Sequence, residues 1–127
     1  MIYLDSSALV KLVVEEPESE ALRGFVASWN GRLLSSAISV VEVMRAAARC
    51  AAEERAAALL ETLQQLEIEP AILETAGRVQ PQTLSSLDAL HLASALSVRE
   101  PLERFVCYDA RLLAAARDAG LATTSPA

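Results

Sequence analysis

The chain has 127 residues, of which 53% are hydrophobic and 22% are charged, and its formal net charge is −6 at pH 7. This length fits one domain over residues 1–127 that can bury a core without disulfides, and the composition excludes a disordered or low-complexity chain. The acidic balance argues against a protein that coats nucleic acid through a broad basic surface, although it leaves room for local contacts with phosphate.

The sequence contains no clear targeting segment and no cysteine pattern that indicates a zinc site or a disulfide. The first residues show no basic region followed by an apolar one, and no apolar run approaches about 18 residues, so we expect no membrane segment and a cytoplasmic location. Cys50 and Cys107 lie far apart, without a cluster of histidine or cysteine near them. We therefore expect neither a zinc site nor a disulfide, and we expect both thiols to be small buried hydrophobic groups.

Short apolar runs alternate with longer helical patterns, which is typical of βαβ units and a parallel sheet. The predicted strands lie near Ile2–Asp5, Arg32–Ser35, Leu66–Glu69, Arg104–Tyr108 and Leu121–Thr123. The predicted helices cover Ser7–Val14, Pro17–Trp29, Ile38–Cys50, Glu53–Gln64, Ala71–Val79, Leu87–Val98 and Ala110–Ala119. The helix pair between residues 38 and 64 is expected to form a hairpin and a small cap, and Gly120 is expected to end the last helix.

Four acidic residues adjoin these predicted elements, and each has an ordinary structural explanation. Asp5 and Asp109 come directly before helices and could be N-caps, whose side-chain oxygens accept a hydrogen bond from an unpaired backbone N–H. Glu42 and Asp88 each lie three residues after a serine, which is the spacing of a capping box. Taken singly, each acid therefore favours a structural role.

The positions of the four acids indicate more when they are considered together. Asp5 and Asp109 close predicted strands and Glu42 opens the helix after the second strand, so all three belong to the carboxyl edge of a parallel sheet. Asp88 joins them if its helix starts at the same edge. Four converging carboxylates repel one another unless a cation is present, and carboxylate ligands suit Mg²⁺ or Mn²⁺.

Polar neighbours of these acids leave several roles open. A hydroxyl of Ser6 or Ser7 could orient Asp5 or a bound water, although capping of the first helix is the more common use and is favoured for Ser6. The only histidine, His91, follows Asp88 by one helical turn. We expect it to fill a helix surface beside apolar neighbours rather than to take part in catalysis.

Two arginines share a helix stripe with Glu42. Arg45 and Arg49 follow it by three and seven residues. They could hold Glu42 or contact phosphate, but a solvated surface position is the common one for arginine.

At these residues the chain resembles the PIN-domain family and, within it, the VapC-type toxins of prokaryotic toxin–antitoxin pairs. The segment Tyr3–Leu12 is similar to the family's opening strand and first acid, with Ser7 at the usual Ser/Thr position. The segments Ser35–Val43, Leu87–Ala93 and Tyr108–Asp109 are similar to the second, third and fourth motifs. One departure is Cys107, because a Ser or Thr commonly lies two residues before the fourth acid.

The resemblance implies an α/β fold, a PIN-like three-layer α/β/α sandwich with a central, mostly parallel sheet of about five strands. It implies a metal-dependent endoribonuclease whose catalytic residues are Asp5, Glu42, Asp88 and Asp109. Asp5, Asp88 and Asp109 would bind Mg²⁺ or Mn²⁺, directly or through water, and Glu42 would hold the metal or a coordinated water.

The resemblance also implies partners and products. The substrate would be RNA, and in-line attack by water would leave 5′-phosphate and 3′-hydroxyl ends. A small antitoxin would block the acidic cleft with its C-terminal segment, and an apolar surface on the Ile38–Gln64 helix pair would be its natural docking place. The chain would form a homodimer, and a heterotetramer or larger assembly with the antitoxin.

Three other classes of protein fit the pattern less well. A phosphotransfer receiver domain needs an acceptor Asp at the end of the third strand and a late lysine, whereas this chain has Glu67 and Glu69 there and its sole lysine is Lys11. A haloacid-dehalogenase-type phosphatase needs Asp-x-Asp after the first strand, where this chain has Asp5–Ser7. A non-catalytic binding module on the same fold would most simply lack one of the acids, and all four are present.

Overall fold

The computed structural model describes residues 1–127 and contains five strands and seven helices. The strands are β1 (Ile2–Leu4), β2 (Leu33–Ser36), β3 (Gln64–Leu66), β4 (Arg104–Val106) and β5 (Thr123–Thr124). The helices are α1 (Ser6–Val13), α2 (Ser19–Ala27), α3 (Ile38–Ala48), α4 (Glu53–Glu61), α5 (Pro70–Arg78), α6 (Ser86–Leu96) and α7 (Ala110–Asp118). The predicted elements are all present, with bounds that differ by a few residues.

The five strands form one sheet in the order β3-β2-β1-β4-β5, and every pairing is parallel. Since β1 lies in the centre, the chain builds outward on one side through β2 and β3 and then crosses to β4 on the other side. The order of the strands therefore changes direction between β1 and β4, and the connections from these two strands leave their carboxyl ends on opposite sides. Such a switch point leaves a crevice in which open α/β sheets bind ligands.

Alternating side chains of β1 divide the core between the two faces of the sheet. Ile2 and Leu4 pack in one cluster with residues of α1, α2, α3 and α4. Tyr3 points to the opposite face and packs with residues of α6 and α7. This period of two buries both faces of the central strand. The predicted three-layer α/β/α fold is confirmed.

The strand β3 lies two residues earlier than predicted. It pairs along β2 from Gln64 to Leu66, where the sequence pattern favoured Leu66–Glu69. Gln64 and Gln65 are exposed at the edge of the sheet, so this strand carries no apolar alternation that a sequence pattern could detect.

The helices α3 and α4 form the expected hairpin, but they are not a separate cap. Val43 and Ala47 of α3 and Ala56 and Leu60 of α4 belong to the cluster that covers β1. Burial of this apolar side makes the pair part of the main core.

Other expectations about single residues can now be compared with the structure. Gly120 follows α7 with φ +93, and its N–H donates to the carbonyl of Arg117, as a C′ glycine does. Cys107 is buried as expected, but Cys50 is exposed because it lies in the turn that follows α3. None of the helices is long and apolar enough to cross a membrane.

Candidate active site

An open cleft of about 530 Å³ lies over the carboxyl ends of β1 and β4, at the switch point of the sheet. All four acids singled out in the sequence line it: Asp5, Glu42, Asp88 and Asp109. The helix α6 therefore does start at the same edge, which was the condition for Asp88 to join the set. The structure brings the predicted residues together.

Asp5 is the most deeply placed acid, with an exposed fraction of only 2%. It directly follows β1 and is the N-cap of α1, where its Oδ1 accepts the N–H of Ala8 at 3.0 Å and the hydroxyl of Ser7 at 2.6 Å. Burial raises the pKa of this carboxyl, although the two hydrogen bonds oppose the shift. Both bonds go to Oδ1, and neither uses Oδ2.

The two serines after Asp5 have separate partners. Ser7 donates to Asp5 and accepts the N–H of Tyr108 at 3.0 Å, which ties the start of α1 to the segment after β4. Ser6 donates instead to Oε2 of Glu42 at 3.0 Å. The prediction that Ser6 caps the first helix is therefore wrong, because Asp5 makes the cap.

Glu42 owes its position to tertiary contacts and not to helix capping. The helix α3 begins at Ile38, so Glu42 is already in the second turn, and the serine three residues before it, Ser39, is buried and bonded to Ser35. The half-buried carboxylate accepts from His91 Nε2 at 2.8 Å through Oε1. Burial alone would raise the pKa of Glu42, but the bonds from His91 and Ser6 outweigh it and lower the pKa.

His91 is completely buried, which the sequence interpretation did not foresee. Its Nδ1 lies 2.8 Å from the hydroxyl oxygen of Tyr3, and its Nε2 faces Glu42. One signal was available in the sequence, since the two residues on each side of His91 are apolar. An α-helix that is apolar all round is buried, and a buried imidazole requires partners.

Asp88 and Asp109 lie at helix starts on the more open side of the cleft. The N–H of Asp88 donates to Oγ of Ser85, the N-cap of α6, at 3.2 Å, and Asp109 caps α7 by accepting the N–H of Leu112 at 2.9 Å. Burial raises the pKa of Asp88, and the negative charges of Asp109 and Asp5 raise it further. The three aspartates are therefore close enough to interact electrostatically.

Cys107 supplies the polar contact at the position where the family commonly has Ser or Thr. Its Sγ accepts the N–H of Asp109 at 3.3 Å, so a thiol supports the turn that presents this acid. Burial and the charge of Asp5 raise the pKa of the thiol, which therefore stays protonated at neutral pH. The substitution preserves a hydrogen-bonding group beside the fourth acid.

The donor set of the cleft fits a hard divalent cation. Five carboxylates line it, those of the four predicted acids and that of Glu16. The only lysine at its wall, Lys11, is engaged by Glu18 at 2.8 Å and by Glu16 at 3.8 Å. No three side chains of His, Cys, Asp or Glu are close enough together to enclose an ion by themselves. That arrangement suits Mg²⁺, which keeps several waters and is usually bound through one or two carboxylates and substrate phosphates.

Arginines lie at both ends of the acidic cleft. Arg49 of α3 lines it, with Arg45 beside it on an adjoining depression. At the other end, a second hollow of about 360 Å³ shares Asp88 and Asp109 with the cleft and contains Arg111. None of these three arginines forms a salt bridge within the chain. They are free to contact an anion.

Comparison with known proteins identifies similar chains over nearly the whole length. The model of the PIN domain family matches residues 2–121. The chain is 41% identical over 132 residues to ribonuclease VapC47 of Mycobacterium tuberculosis, covering 99% of this chain and 97% of that protein. It is 42% identical over 127 residues to ribonuclease VapC46 of the same species, covering 98% and 97% of the two chains.

Solved structures share the fold at low sequence identity. The M. tuberculosis toxin VapC20, described as cleaving the sarcin-ricin loop, matches with a TM-score of 0.79 at 18% identity, over 99% of this chain and 100% of that chain. A chain of a toxin–antitoxin complex from Klebsiella pneumoniae matches with a TM-score of 0.78 at 22% identity, over 100% and 98% of the two chains. A chain of VapBC2 from Rickettsia felis, bound to a promoter DNA fragment, matches with a TM-score of 0.73 at 14% identity, over 100% of both.

Proposed function

The chain belongs to the PIN-domain family, and we propose that it is a divalent-metal-dependent endoribonuclease that acts as the toxin of a toxin–antitoxin pair. One observation carries the proposal: four carboxylates face a single cleft at the switch point of the sheet, and the adjacent lysine is already paired with other acids. The ribonuclease names of the two M. tuberculosis relatives support the same reaction.

Each acid of the cleft has a proposed role. Asp5, Asp88 and Asp109 would hold Mg²⁺ or Mn²⁺, directly or through water, and Asp5 would do so through Oδ2, which accepts neither the Ser7 nor the Ala8 bond. When bound, the metal ion would lower the pKa of the attacking water and offset charge that develops on the phosphate. Glu42 would orient that water, because its carboxylate is fixed from two sides by Ser6 and His91.

The proposed reaction is hydrolysis of an RNA phosphodiester. Water oxygen forms a bond to phosphorus, the bond from phosphorus to the 3′-oxygen breaks, and one water proton is lost to solvent or a carboxylate while the leaving oxygen gains one. The products are a 5′-phosphate and a 3′-hydroxyl. The 2′-hydroxyl takes no part in this balance, so no cyclic phosphate should form.

The arginines indicate how an acidic protein could hold RNA. A strand crossing the cleft would pass from Arg45 and Arg49, over the carboxylates, to Arg111 on the other side. Guanidinium groups match phosphate geometry, and free arginines avoid the cost of breaking an existing ion pair. We propose that these arginines contact the phosphates on either side of the one that is cut.

An antitoxin partner is proposed on narrower grounds. Two structural neighbours come from toxin–antitoxin complexes. On this chain Val41 of α3 is 54% exposed, so an apolar contact is available on the helix that carries Glu42. A small protein that docks on α3 and blocks the cleft would inhibit cleavage by excluding RNA, and the toxin would form a homodimer within the larger complex.

The central experiment incubates the purified chain with a mixed RNA pool in Mg²⁺ or Mn²⁺, with and without EDTA, and maps the new ends. We expect cleavage with 5′-phosphate ends in metal, none in EDTA, and a loss on the order of 10³-fold in Asp5→Asn, which removes a metal ligand without changing side-chain size. Asp118→Asn, at the end of α7, is the matched control and should cleave normally.

Two outcomes would contradict the nuclease proposal. Full cleavage by Asp5→Asn, or cleavage that persists in EDTA, would remove the metal site from the mechanism. RNA that is bound by the wild type but never cut would favour the alternative function, a non-catalytic binding module on the same fold.

A further inference from the structure

A buried chain of hydrogen bonds reaches Glu42 from the far side of the sheet. The hydroxyl oxygen of Tyr3 accepts the backbone N–H of Ser36 at 3.1 Å and lies 2.8 Å from Nδ1 of His91. Nε2 of the same imidazole lies 2.8 Å from Oε1 of Glu42. Tyr3 and His91 have no exposed surface, so water does not compete for these contacts.

The donors and acceptors in this series of hydrogen bonds indicate which atom donates in each one. Because the Tyr3 oxygen already accepts from Ser36, its own hydrogen is available for Nδ1 of His91. The ring hydrogen then resides on Nε2 and is donated to Glu42. This tautomer satisfies both contacts of the imidazole with one hydrogen for each bond.

Aromatic packing fixes the orientation of the rings. Tyr3 stacks on Phe105 of β4 with centroids 5.4 Å apart and an interplanar angle of 7°, and it meets His91 edge to face at 6.0 Å and 79°. Such arrangements favour particular ring orientations in a packed core. The imidazole is therefore held between a fixed phenol and the cleft.

We propose that His91 is a positioning residue that holds the Glu42 carboxylate in its working orientation, with Tyr3 selecting the tautomer that can do so. The inference deepens the proposed nuclease function and rests on it. The helix α6 then contributes twice to the cleft, directly through Asp88 and indirectly through His91 one turn later. Movement of α6 would displace both contributions together.

A purely structural role would leave the contact with Glu42 unexplained. An apolar side chain would fill the same interior without the cost of burying two polar nitrogens. Without His91, Oε1 of Glu42 would lose its donor and only the bond from Ser6 to Oε2 would remain. A carboxylate held from one side can rotate, and partners that orient metal-site groups are commonly worth about 10–100-fold in metal affinity or activity.

The first test reads the tautomer directly. His91 is the only histidine, so ¹⁵N and ¹H signals of the imidazole need no assignment. We expect a hydrogen on Nε2 in the wild type, with a proton signal that shifts in Glu42→Gln and in Tyr3→Phe. An Nδ1–H tautomer, with a bare Nε2 facing Glu42, would overturn the proposal.

The second test uses two amides of different reach. In His91→Gln the side-chain amide nitrogen can occupy the place of Nε2 and still donate to Glu42, whereas in His91→Asn it reaches only the place of Nδ1. We expect His91→Asn to lower kcat about 10–100-fold with little change in KM, and to weaken Mn²⁺ binding measured by calorimetry by a similar factor. His91→Gln should restore both to within about threefold of the wild type.

Controls separate this role from stability and from the nuclease proposal. Leu92→Val disturbs the buried side of α6 beside His91 and should lower the unfolding temperature without changing kcat. Equal kcat and Mn²⁺ affinity in the Asn and Gln variants would overturn the positioning role. If the wild type cuts no RNA at all, the nuclease proposal fails, while the imidazole signals and Mn²⁺ affinities still decide the role of His91.

Discussion

The two sides of the cleft are built in different ways. On the inner wall, Glu42 accepts hydrogen bonds from Ser6 and His91, which are distant in sequence. Asp5 accepts from its neighbour Ser7, which in turn binds the N–H of Tyr108. On the outer wall, Asp88 and Asp109 begin helices and depend on contacts within a few residues. Long-range contacts therefore orient Glu42, whereas local helix geometry orients the outer acids and also Asp5.

On both walls an aspartate that caps a helix also lines the cleft. Asp109 uses Oδ1 to cap α7 and Asp5 uses Oδ1 to cap α1, and each carboxylate keeps a second oxygen for the cleft. A carboxylate that caps a helix at the carboxyl edge of a sheet is thus held in place through one of its two oxygens. Glu42 has no capping role, so its only evident use lies in the cleft.

The largest effect that distinguishes the walls is expected from two variants of Asp109. Asparagine caps helices as well as aspartate does, whereas alanine loses about 1 kcal/mol of capping energy. We expect Asp109→Asn and Asp109→Ala both to lose activity on the order of 10²-fold, but only Asp109→Ala to unfold at a lower urea concentration. Cleavage assays and urea melts together separate the two roles.

A particular result would contradict this dual role. If Asp109→Asn cleaved RNA like the wild type, Asp109 would be a helix cap only, and the metal would have to be held by the other acids.

A smaller effect is expected at the two ends of the cleft. Arg49→Gln and Arg111→Gln should each weaken RNA binding about threefold to tenfold and lower the salt dependence of log Kd by about one, because each removes one phosphate contact. Arg78→Gln is the matched control, since Arg78 is paired with Glu74 on α5. Fluorescence anisotropy with a catalytically inactive chain gives these values.

If only one of the two arginines changes the salt slope, RNA leaves the cleft on one side only. If neither does, the proposed path over both hollows is wrong, while the carboxylate chemistry is unaffected.

The outer wall and the sheet were largely predictable from sequence. Strand ends followed by a helix cap fix Asp109, and on the inner wall Asp5, at one edge, because parallel strands and right-handed crossovers leave few arrangements. The starting edge of α6, on which Asp88 depends, follows from the length and path of the segment after β3 and needed the structure. The edge strand β3 was misplaced because Gln64 and Gln65 give no apolar signal.

The contacts of Glu42 on the inner wall were less predictable, because they join residues that are distant in sequence. The partners Ser6 and Glu42 are 36 residues apart, and Glu42 and His91 are 49 apart. Spacing alone suggested a capping box for Glu42, and nothing local argued against it. Only the packing of α1, α3 and α6 around the cleft shows which serine and which histidine reach the carboxylate.

The smallest expected effect concerns stability and pH, and it has opposite signs for the two inner acids. Burial raises the pKa of Asp5 above 3.8. The contribution of Asp5 to folding stability is therefore complete at a pH below the pKa that it has in the unfolded chain, and it is lost as the pH rises through the pKa that it has in the folded chain. The pKa of Glu42 is lowered below 4.5, so its contribution is present above the unfolded pKa and is lost as pH falls through the folded pKa.

In metal-free buffer at neutral pH, Asp5→Asn should therefore be more stable than the wild type and Glu42→Gln less stable. Thermal melts in EDTA between pH 4 and 8 measure this, since about 1 kcal/mol shifts the unfolding temperature by about 3–5 °C in a domain of this size. The extra stability of Asp5→Asn over the wild type should shrink toward acid pH, and it should vanish when Mn²⁺ binds and stabilises the wild type. A less stable Asp5→Asn at neutral pH would mean that the Ser7 and Ala8 bonds outweigh burial, and that Asp5 is held as a structural carboxylate.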